Sequence, residues 1–209
     1  MFAQVLQNVM PSTHGQLRRI SQAVSMAFVM PVVLLILVGN VSQANAEQPS
    51  RFMKRVANEL MAAQRSGSAV AFQQVLRSHA DLPSIGLYSL GSYSRRLQRG
   101  DRNSYYSGMV AFIARYAAKE SVKYPVTKVV VVGQTKETKR GVYVDTVLTL
   151  SSGMTYDVRW WLIRRGSTFK VGDAQVIGFW ARDSLKQLFE SFITDNGGNP
   201  KKLVIALNR

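Results

Sequence analysis

Few side chains in this sequence are of the types that carry out catalysis or hold metal ions. The two histidines are His14, near the N-terminus, and His79, alone at the end of a predicted helix, and there is no cysteine. A metal site needs several ligands and a catalytic triad needs a base beside a nucleophile, and this spacing provides neither. No glycine-rich loop of the phosphate-binding kind is present. We therefore expect no metal ion and no bound cofactor.

Three aspartates are the remaining candidates for acid–base chemistry. Asp145, Asp157 and Asp173 occupy hairpin-related positions in predicted strands, where a cone-shaped α+β sheet can hold an acid–base pair. Their polar phase along each strand indicates side chains that face solvent instead, and nothing pairs them with a base or a metal. An enzyme on a cone-shaped, isomerase-like fold stays open as an alternative. The sequence favours a protein that is not an enzyme.

Four arginines crowd around Gly100-Asp101: Arg95, Arg96, Arg99 and Arg102. Because like charges avoid burial, such a run is typical of a solvated helix end. The second interpretation is a patch that contacts anions or a partner. On that interpretation the protein would be a basic envelope-binding or scaffolding module, which is a further alternative function.

The N-terminal region has the three parts of an export signal. Arg18-Arg19 precede an apolar run from Ala23 to Gly39, and Ala44-Asn45-Ala46 supplies a small-x-small cleavage pattern. We predict that residues 1–46 are a signal peptide cleaved before Glu47, so that the mature protein is exported. A signal anchor that stays in the membrane is the alternative.

The remaining chain, residues 47–209, is predicted to form a single domain with a strong positive charge. Without Arg18 and Arg19, 25 of the 27 basic residues remain against 12 acidic ones, a net charge of +13. In an exported protein this favours acidic partners at a membrane, such as phospholipid head groups or lipopolysaccharide, and no nucleic acid. Charge that serves only solubility is the alternative. The absence of cysteine means that no disulfide stabilises the domain.

Apolar periodicity predicts helices first and strands afterwards. Residues at helical spacing predict helices over 49–64, 69–79, 81–90, 103–121, 183–194 and a short segment after Pro200. Strands are predicted over 126–134, 142–150 and in the hairpin 155–176, with Gly172-Asp173 as a bulge. The first strand is almost continuously apolar, which predicts that it is central or covered on both faces. Together these elements predict an α+β domain with a four-stranded antiparallel sheet.

Several segments in this order resemble those of a known family. They are SLGSY at 89–93, a helix ending in Arg115-Tyr116, YDVRWWLIRRGSTFKVGDAQVIGF at 156–179, LKQLFESFI at 185–193 and NGGNPKKLVIAL at 196–207. The chain resembles the MlaC-type periplasmic phospholipid-binding proteins, also called the toluene-tolerance or auxiliary-transport family. The resemblance covers essentially all of residues 47–209 and is most specific from Tyr156 onward. After Gly178 the chain departs from the family, with Phe179-Trp180 and Leu185-Lys186 where small or aliphatic residues and then Tyr-Arg are common.

The resemblance implies a soluble lipid carrier within an ABC-type intermembrane transport system that maintains outer-membrane lipid asymmetry. Its implied partners are phospholipid acyl chains, an inner-membrane ABC transporter complex and an outer-membrane lipoprotein/porin complex. It further implies a twisted sheet wrapped by about six helices around an apolar cavity. Residues 155–180 would form the back wall of that cavity, with Trp160 and Phe169 facing in and Gly178-Phe179-Trp180 near its rim. Ordinary core packing is the alternative for each expected wall residue: Leu76, Leu82, Leu87, Leu90, Met109, Phe112, Tyr116, Val144, Trp160, Phe169, Val176, Phe179 and Trp180.

Overall fold

The structure is a computed structural model that describes residues 47–209; the predicted signal peptide, residues 1–46, lies outside this range. Within it are six α-helices: α1 (Pro49–Ser66), α2 (Ala69–His79), α3 (Leu82–Ser89), α4 (Arg102–Lys123), α5 (Ala181–Asp195) and α6 (Pro200–Leu207). Two short 3₁₀ turns, Gly91–Arg95 and Arg99–Asp101, connect α3 to α4. None of the helices from Glu47 onward has both the length and the hydropathy needed to cross a membrane.

Local sequence signals set the ends of these helices. Ser68, Asp81 and Asn199 each accept a backbone hydrogen bond through the side chain at the start of α2, α3 and α6. Gly67, in the left-handed conformation with φ 63°, ends α1 and donates its N–H to a carbonyl of the last turn. These caps explain why the predicted helix boundaries agree closely with the observed ones.

The strands are β1 (Val126–Thr138), β2 (Gly141–Leu150), β3 (Thr155–Arg165), β4 (Thr168–Val176) and β5 (Phe179–Trp180). They form one antiparallel sheet in sequence order. The predicted α+β class is confirmed, but the sheet has five strands rather than four. The fifth strand is only two residues long and pairs with the end of β4, so it carries too few residues to show an alternating pattern.

The first strand lies at the edge of the sheet, and its predicted central position is wrong. Val129 and Val131 face the helices, whereas Val130 and Val132 are exposed. The run of valines therefore reflects the preference of β-branched residues for an extended, pleated backbone and not cover on both faces. Such a run of valines is not by itself evidence that a strand is buried on both faces.

A bulge in β4 changes which side chains face the helices. Trp161 pairs with Asp173 and Leu162 pairs with Val171, so Gly172 has no partner across the strand pair. This confirms the predicted bulge. Because one extra residue reverses the alternation, Phe169 and Val171 face the helices before it and Ala174 and Val176 do so after it.

The buried side chains form three clusters around the inner face of the sheet and the helices. One joins the end of α3 to α4, α5 and α6: Leu90, directly after α3, packs with Tyr105, Met109, Phe189, Ile193 and Leu203. A second packs α1 on the sheet through Phe52, Met53, Val56, Val144, Leu162 and Phe169. The third joins α1, α2 and α4 through Ala63, Phe72, Val75 and Ala114. These clusters hold the helices away from part of the sheet, where a cavity remains.

Candidate functional site

The main cavity of residues 47–209 has a volume of about 600 Å³ and lies between the inner face of the sheet and the helices. Most of its wall is aliphatic or aromatic. The aliphatic and aromatic residues of the wall include Val56, Leu60, Val75, Leu76, Ile85, Phe112, Ile113, Tyr116, Trp160, Val171, Ala174, Val176, Phe179, Leu185 and Leu188. The polar residues of the wall are His79, Asp173, Arg182 and Ser184. Phe179, Tyr116 and Leu188 are also exposed to solvent, so the cavity opens at the surface beside them. Such a space suits an apolar ligand.

Trp160 of β3 is held in the wall by a hydrogen bond. Its indole Nε1 donates to Thr146 Oγ1 of β2 at 2.9 Å, and the Thr146 side chain is fully buried. The threonine that interrupts the apolar side of β2 in sequence therefore satisfies the one polar atom of the tryptophan. This contact fixes the indole plane where it lines the cavity.

A second apolar cavity of about 260 Å³ adjoins the first, and Leu60 and Trp160 line both. The second cavity is otherwise formed mainly by Ala57, Met61, Phe72, Ala117, Tyr124, Val129 and Leu148. Two side chains, one from α1 and one from β3, thus divide the apolar space between the sheet and the helices. The indole is the larger and is fixed by its hydrogen bond.

One ion pair lies at the border of the main cavity. Arg182 Nε donates to Asp173 Oδ2 at 3.0 Å, and the backbone N–H groups of Ala174 and Arg182 donate to Oδ1 at 2.9 and 3.0 Å. The side chains are 5% exposed for Asp173 and 17% exposed for Arg182. The Arg182 guanidinium stacks on the rings of Tyr88 and Trp161, 4.3 and 4.6 Å from their centroids. Its charge is therefore neutralised and packed.

Beyond this ion pair lies a polar pocket of about 270 Å³ on the other side of Asp173 and Arg182. Tyr88, whose hydroxyl donates to Asp183, lines this pocket together with Arg140 and Trp180. That hydrogen bond raises the pKa of the Tyr88 hydroxyl. The ion pair thus separates an apolar space from a polar one.

The three aspartates considered for chemistry do not form a common site. Asp145 accepts two hydrogen bonds from Arg159 at 2.8 and 3.0 Å on the exposed face, and this contact lowers the pKa of the Asp145 carboxyl. Asp157 is exposed, while Asp173 is buried, contrary to the solvent-facing prediction. The bulge at Gly172 and the arginine from α5 account for that burial. Among residues 47–209 no group of three His, Cys, Asp or Glu side chains could hold a metal ion.

His79 also lies in the cavity wall. Its Nε2 is 2.7 Å from Glu59 Oε2, and its ring meets the ring of Phe52 edge-on, with centroids 5.7 Å apart. The imidazole is therefore oriented by a neighbouring carboxylate and an aromatic ring. Because Glu59 belongs to α1 and His79 to α2, this contact joins the two helices at the cavity wall.

The structure divides the thirteen expected wall residues into two groups. Six line the main cavity: Leu76, Phe112, Tyr116, Trp160, Val176 and Phe179. The others lie elsewhere: Leu90, Met109, Val144 and Phe169 are buried in the core clusters, Leu82 packs on the first cluster, Trp180 lines the polar pocket, and Leu87 does not line the cavity. Phe169 does not face the cavity because it packs against Phe52, with ring centroids 5.9 Å apart.

Other wall residues were not expected from the sequence. Val56, Leu60 and Val75 belong to the apolar stripes of α1 and α2, and Leu185 and Leu188 to that of α5. Their helical spacing is visible in the sequence, but it does not reveal which element lies across from each stripe. The four clustered arginines line neither apolar cavity; Arg95, Arg96 and Arg99 are exposed near the 3₁₀ turns, and Arg102 begins α4.

The fold and the cavity together define a class of α+β domain in which helices pack on a meander sheet and leave an apolar cavity that opens at the surface. Residues 47–209 match the family model described as MlaC protein, and the chain belongs to the MlaC family. Its fold is similar to that of a phospholipid-binding protein from Ralstonia solanacearum whose structure was solved in complex with a phospholipid. The TM-score is 0.65 at 16% sequence identity, over 78% of this chain and 96% of that one. No curated protein matches the chain.

Proposed function

We propose that this protein binds phospholipid, with the acyl chains inside the main cavity. The observation that carries the proposal is the open space of about 600 Å³ with a mostly apolar wall. The volume falls within the range of roughly 300–1,000 Å³ found for small-molecule sites. The family and the phospholipid-bound relative of similar fold favour this ligand over other apolar molecules.

Burial of acyl chains supplies enough free energy without specific head-group contacts. Each buried methylene contributes about 0.8 kcal/mol, so ten methylenes contribute roughly 8 kcal/mol. Two full chains would bind more tightly than a carrier can release unaided. We therefore propose that partner complexes open the cavity when the lipid is loaded and unloaded.

We propose further that the protein is the soluble carrier of an ABC-type system that moves lipid between the outer and inner membranes. In this proposal residues 1–46 direct export and are cleaved before Glu47, so the carrier works in the periplasm. Its partners would be an inner-membrane ABC transporter complex and an outer-membrane lipoprotein/porin complex. The exposed arginines offer a surface for an acidic partner: Arg95, Arg96 and Arg99, with Arg102 beside them.

The proposal assigns no catalytic role to the polar residues of the cavity. Asp173 is the one carboxylate among the described wall residues, and it forms an ion pair with Arg182. The hydrogen-bonded Tyr88 and Asp183 line the polar pocket and not the apolar cavity. An acid–base mechanism would need an unpaired group that faces the bound ligand.

Bound lipid can be measured directly by native mass spectrometry of the exported, purified protein. We expect one or more phospholipids per molecule. Ile113→Trp on α4 and Val171→Phe on β4 each place extra volume inside the cavity, from opposite walls. Each should weaken the affinity for phospholipid about tenfold, because two displaced methylenes cost about 1.6 kcal/mol and tenfold corresponds to about 1.4 kcal/mol. Val70→Trp is the control, because Val70 is exposed and lines neither apolar cavity.

Two results would contradict the proposal. Wild-type protein that contains no phospholipid and takes up none from vesicles would exclude the proposed ligand. Normal loading of both folded cavity variants would show that lipid binds somewhere else. Charge reversal at the arginine surface should impair partner binding and leave loading unchanged.

A further inference from the structure

The turn between β4 and β5 combines an unfavourable backbone conformation with exposed apolar side chains. Ile177 has φ 52° and Gly178 has φ 83°, so both central residues of this two-residue connection are left-handed. Such turns favour Asn-Gly, and a β-branched residue is a strained choice at the first position. Ile177 is nevertheless 66% exposed, so no packing of its side chain compensates for the strain. A strained residue without a packing role is a reason to look for a function.

Ile177 belongs to a group of exposed apolar residues at the mouth of the cavity. Val176 and Phe179 flank the turn, and Tyr116 of α4 and Leu188 of α5 approach the same opening. All four line the cavity and are also exposed, Phe179 to 74%. We call these five residues the rim. Contiguous exposed apolar groups mark surfaces that contact an apolar partner.

The charges of the protein identify the kind of partner. Residues 47–209 carry a net charge of +13, and Arg115 and Lys119 are exposed on either side of Tyr116 along α4. Apolar tips between basic groups suit the interface of a bilayer that contains anionic phospholipid. The rim also surrounds the opening through which an acyl chain would pass. A partner that docks on the rim must therefore be able to give up or accept an acyl chain there. A bilayer meets both requirements.

We propose that the rim docks directly on an anionic bilayer surface, with Ile177 and Phe179 inserted among the head groups. The inference rests on the proposed function for its purpose, because docking places the cavity mouth where phospholipid can enter or leave. Docking itself needs only the rim and the positive charge. The left-handed turn is the device that points Ile177 outward beyond the sheet.

Flotation with vesicles of equal parts phosphatidylcholine and phosphatidylglycerol tests the docking surface. The variant Ile177→Asn/Phe179→Ser removes both inserted side chains, and asparagine accepts the left-handed conformation. We expect its vesicle-bound fraction to fall about tenfold or more, because burial of such side chains supplies the apolar part of binding. Val122→Ser is the matched control, because Val122 is exposed on α4 and lines neither apolar cavity. Vesicles of phosphatidylcholine alone should bind the wild-type protein more weakly.

Stability and cargo are measured on the same samples. Ile177→Asn alone should leave the unfolding midpoint equal or higher, since it relieves backbone strain, while vesicle binding falls. Wild-type protein that carries phospholipid but does not float, or a double variant that floats as well as wild type, overturns the docking proposal and leaves lipid binding intact. Wild-type protein that floats but never contains phospholipid supports docking and overturns the proposed carrier function.

Discussion

The buried ion pair of Asp173 and Arg182 should contribute far more to stability than the exposed pair of Asp145 and Arg159. In the first pair the carboxylate accepts three hydrogen bonds of 2.9 to 3.0 Å, two of them from backbone N–H groups. Asp173→Ala would leave those donors and a largely buried guanidinium without their acceptor. The free energy of unfolding should therefore fall sharply.

The size of the loss follows from the surroundings of the arginine. Removal of one partner of a buried ion pair costs about 3–5 kcal/mol. Arg182 keeps its stacking on Tyr88 and Trp161, and its side chain is 17% exposed, so water reaches part of the charge. We therefore expect the lower end, about 3 kcal/mol. This is a large fraction of a domain stability of about 5–15 kcal/mol.

Urea unfolding followed by tryptophan fluorescence measures this difference at neutral pH. Asp145→Ala is the control, since its ion pair is 42% and 51% exposed and should be worth less than about 1 kcal/mol. Asp173→Ala combined with Arg182→Met should recover part of the loss, because no unpaired charge remains buried. If Asp173→Ala costs no more than Asp145→Ala, burial does not determine the strength of these ion pairs, and the expected difference is refuted.

Three further predictions concern Glu190, Gly172 and Gln64. The backbone N–H of Ser92 donates to Glu190 Oε1 at 2.9 Å, and this hydrogen bond is the main reason why the pKa of the Glu190 carboxyl is lowered from 4.5. The ionised carboxylate therefore contributes its full share to the stability of the fold above pH 4.5. That share is lost as the pH falls through the pKa of the folded state. Glu190→Gln should therefore lower the thermal midpoint more at neutral pH than at about pH 3, as calorimetry can show. Gly172→Val should cost about 1–3 kcal/mol in urea unfolding, because an added Cβ comes within 2.8 Å of two side chains of β3. Gln64→Ala should cost about 1–3 kcal/mol and speed amide hydrogen exchange at Val126, whose backbone N–H and C=O each bond the Gln64 side chain at 2.9 Å.

Each of these predictions has an outcome that would contradict it. A Glu190→Gln effect of equal size at both pH values would mean that the carboxylate charge is not involved. Unchanged stability of Gly172→Val would show that β3 can move to admit the side chain. Exchange at the start of β1 that does not respond to Gln64→Ala would show that the strand end is held by other contacts.

Much of the local structure follows from the sequence alone. Helix α2 begins and ends at the predicted residues, Ala69 and His79, because its cap and its apolar spacing both lie within the segment. Gly172 interrupts an alternating strand, and because a glycine inside a strand often marks a bulge, the sequence predicts the irregularity that the structure has there. The family is carried by the run of residues from Tyr156 onward, and it is confirmed.

Only the tertiary structure determines which apolar residues line the cavity. On α4 Met109 is buried in the core while Phe112 and Tyr116 line the cavity, although all three belong to one apolar stripe. Apolar residues recur at the same spacing along a helix whether the opposite element fills the space beside them or leaves it empty. The spacing therefore cannot distinguish core residues from cavity-lining residues.

The burial of Asp173 is a second example. Its alternation predicts a solvent-facing side chain, but Arg182, from a helix that follows in the chain, covers it and supplies the opposite charge. Local sequence determines the direction of a side chain along its own strand or helix. What that side chain meets depends on elements distant in sequence, and only the packed fold brings them together.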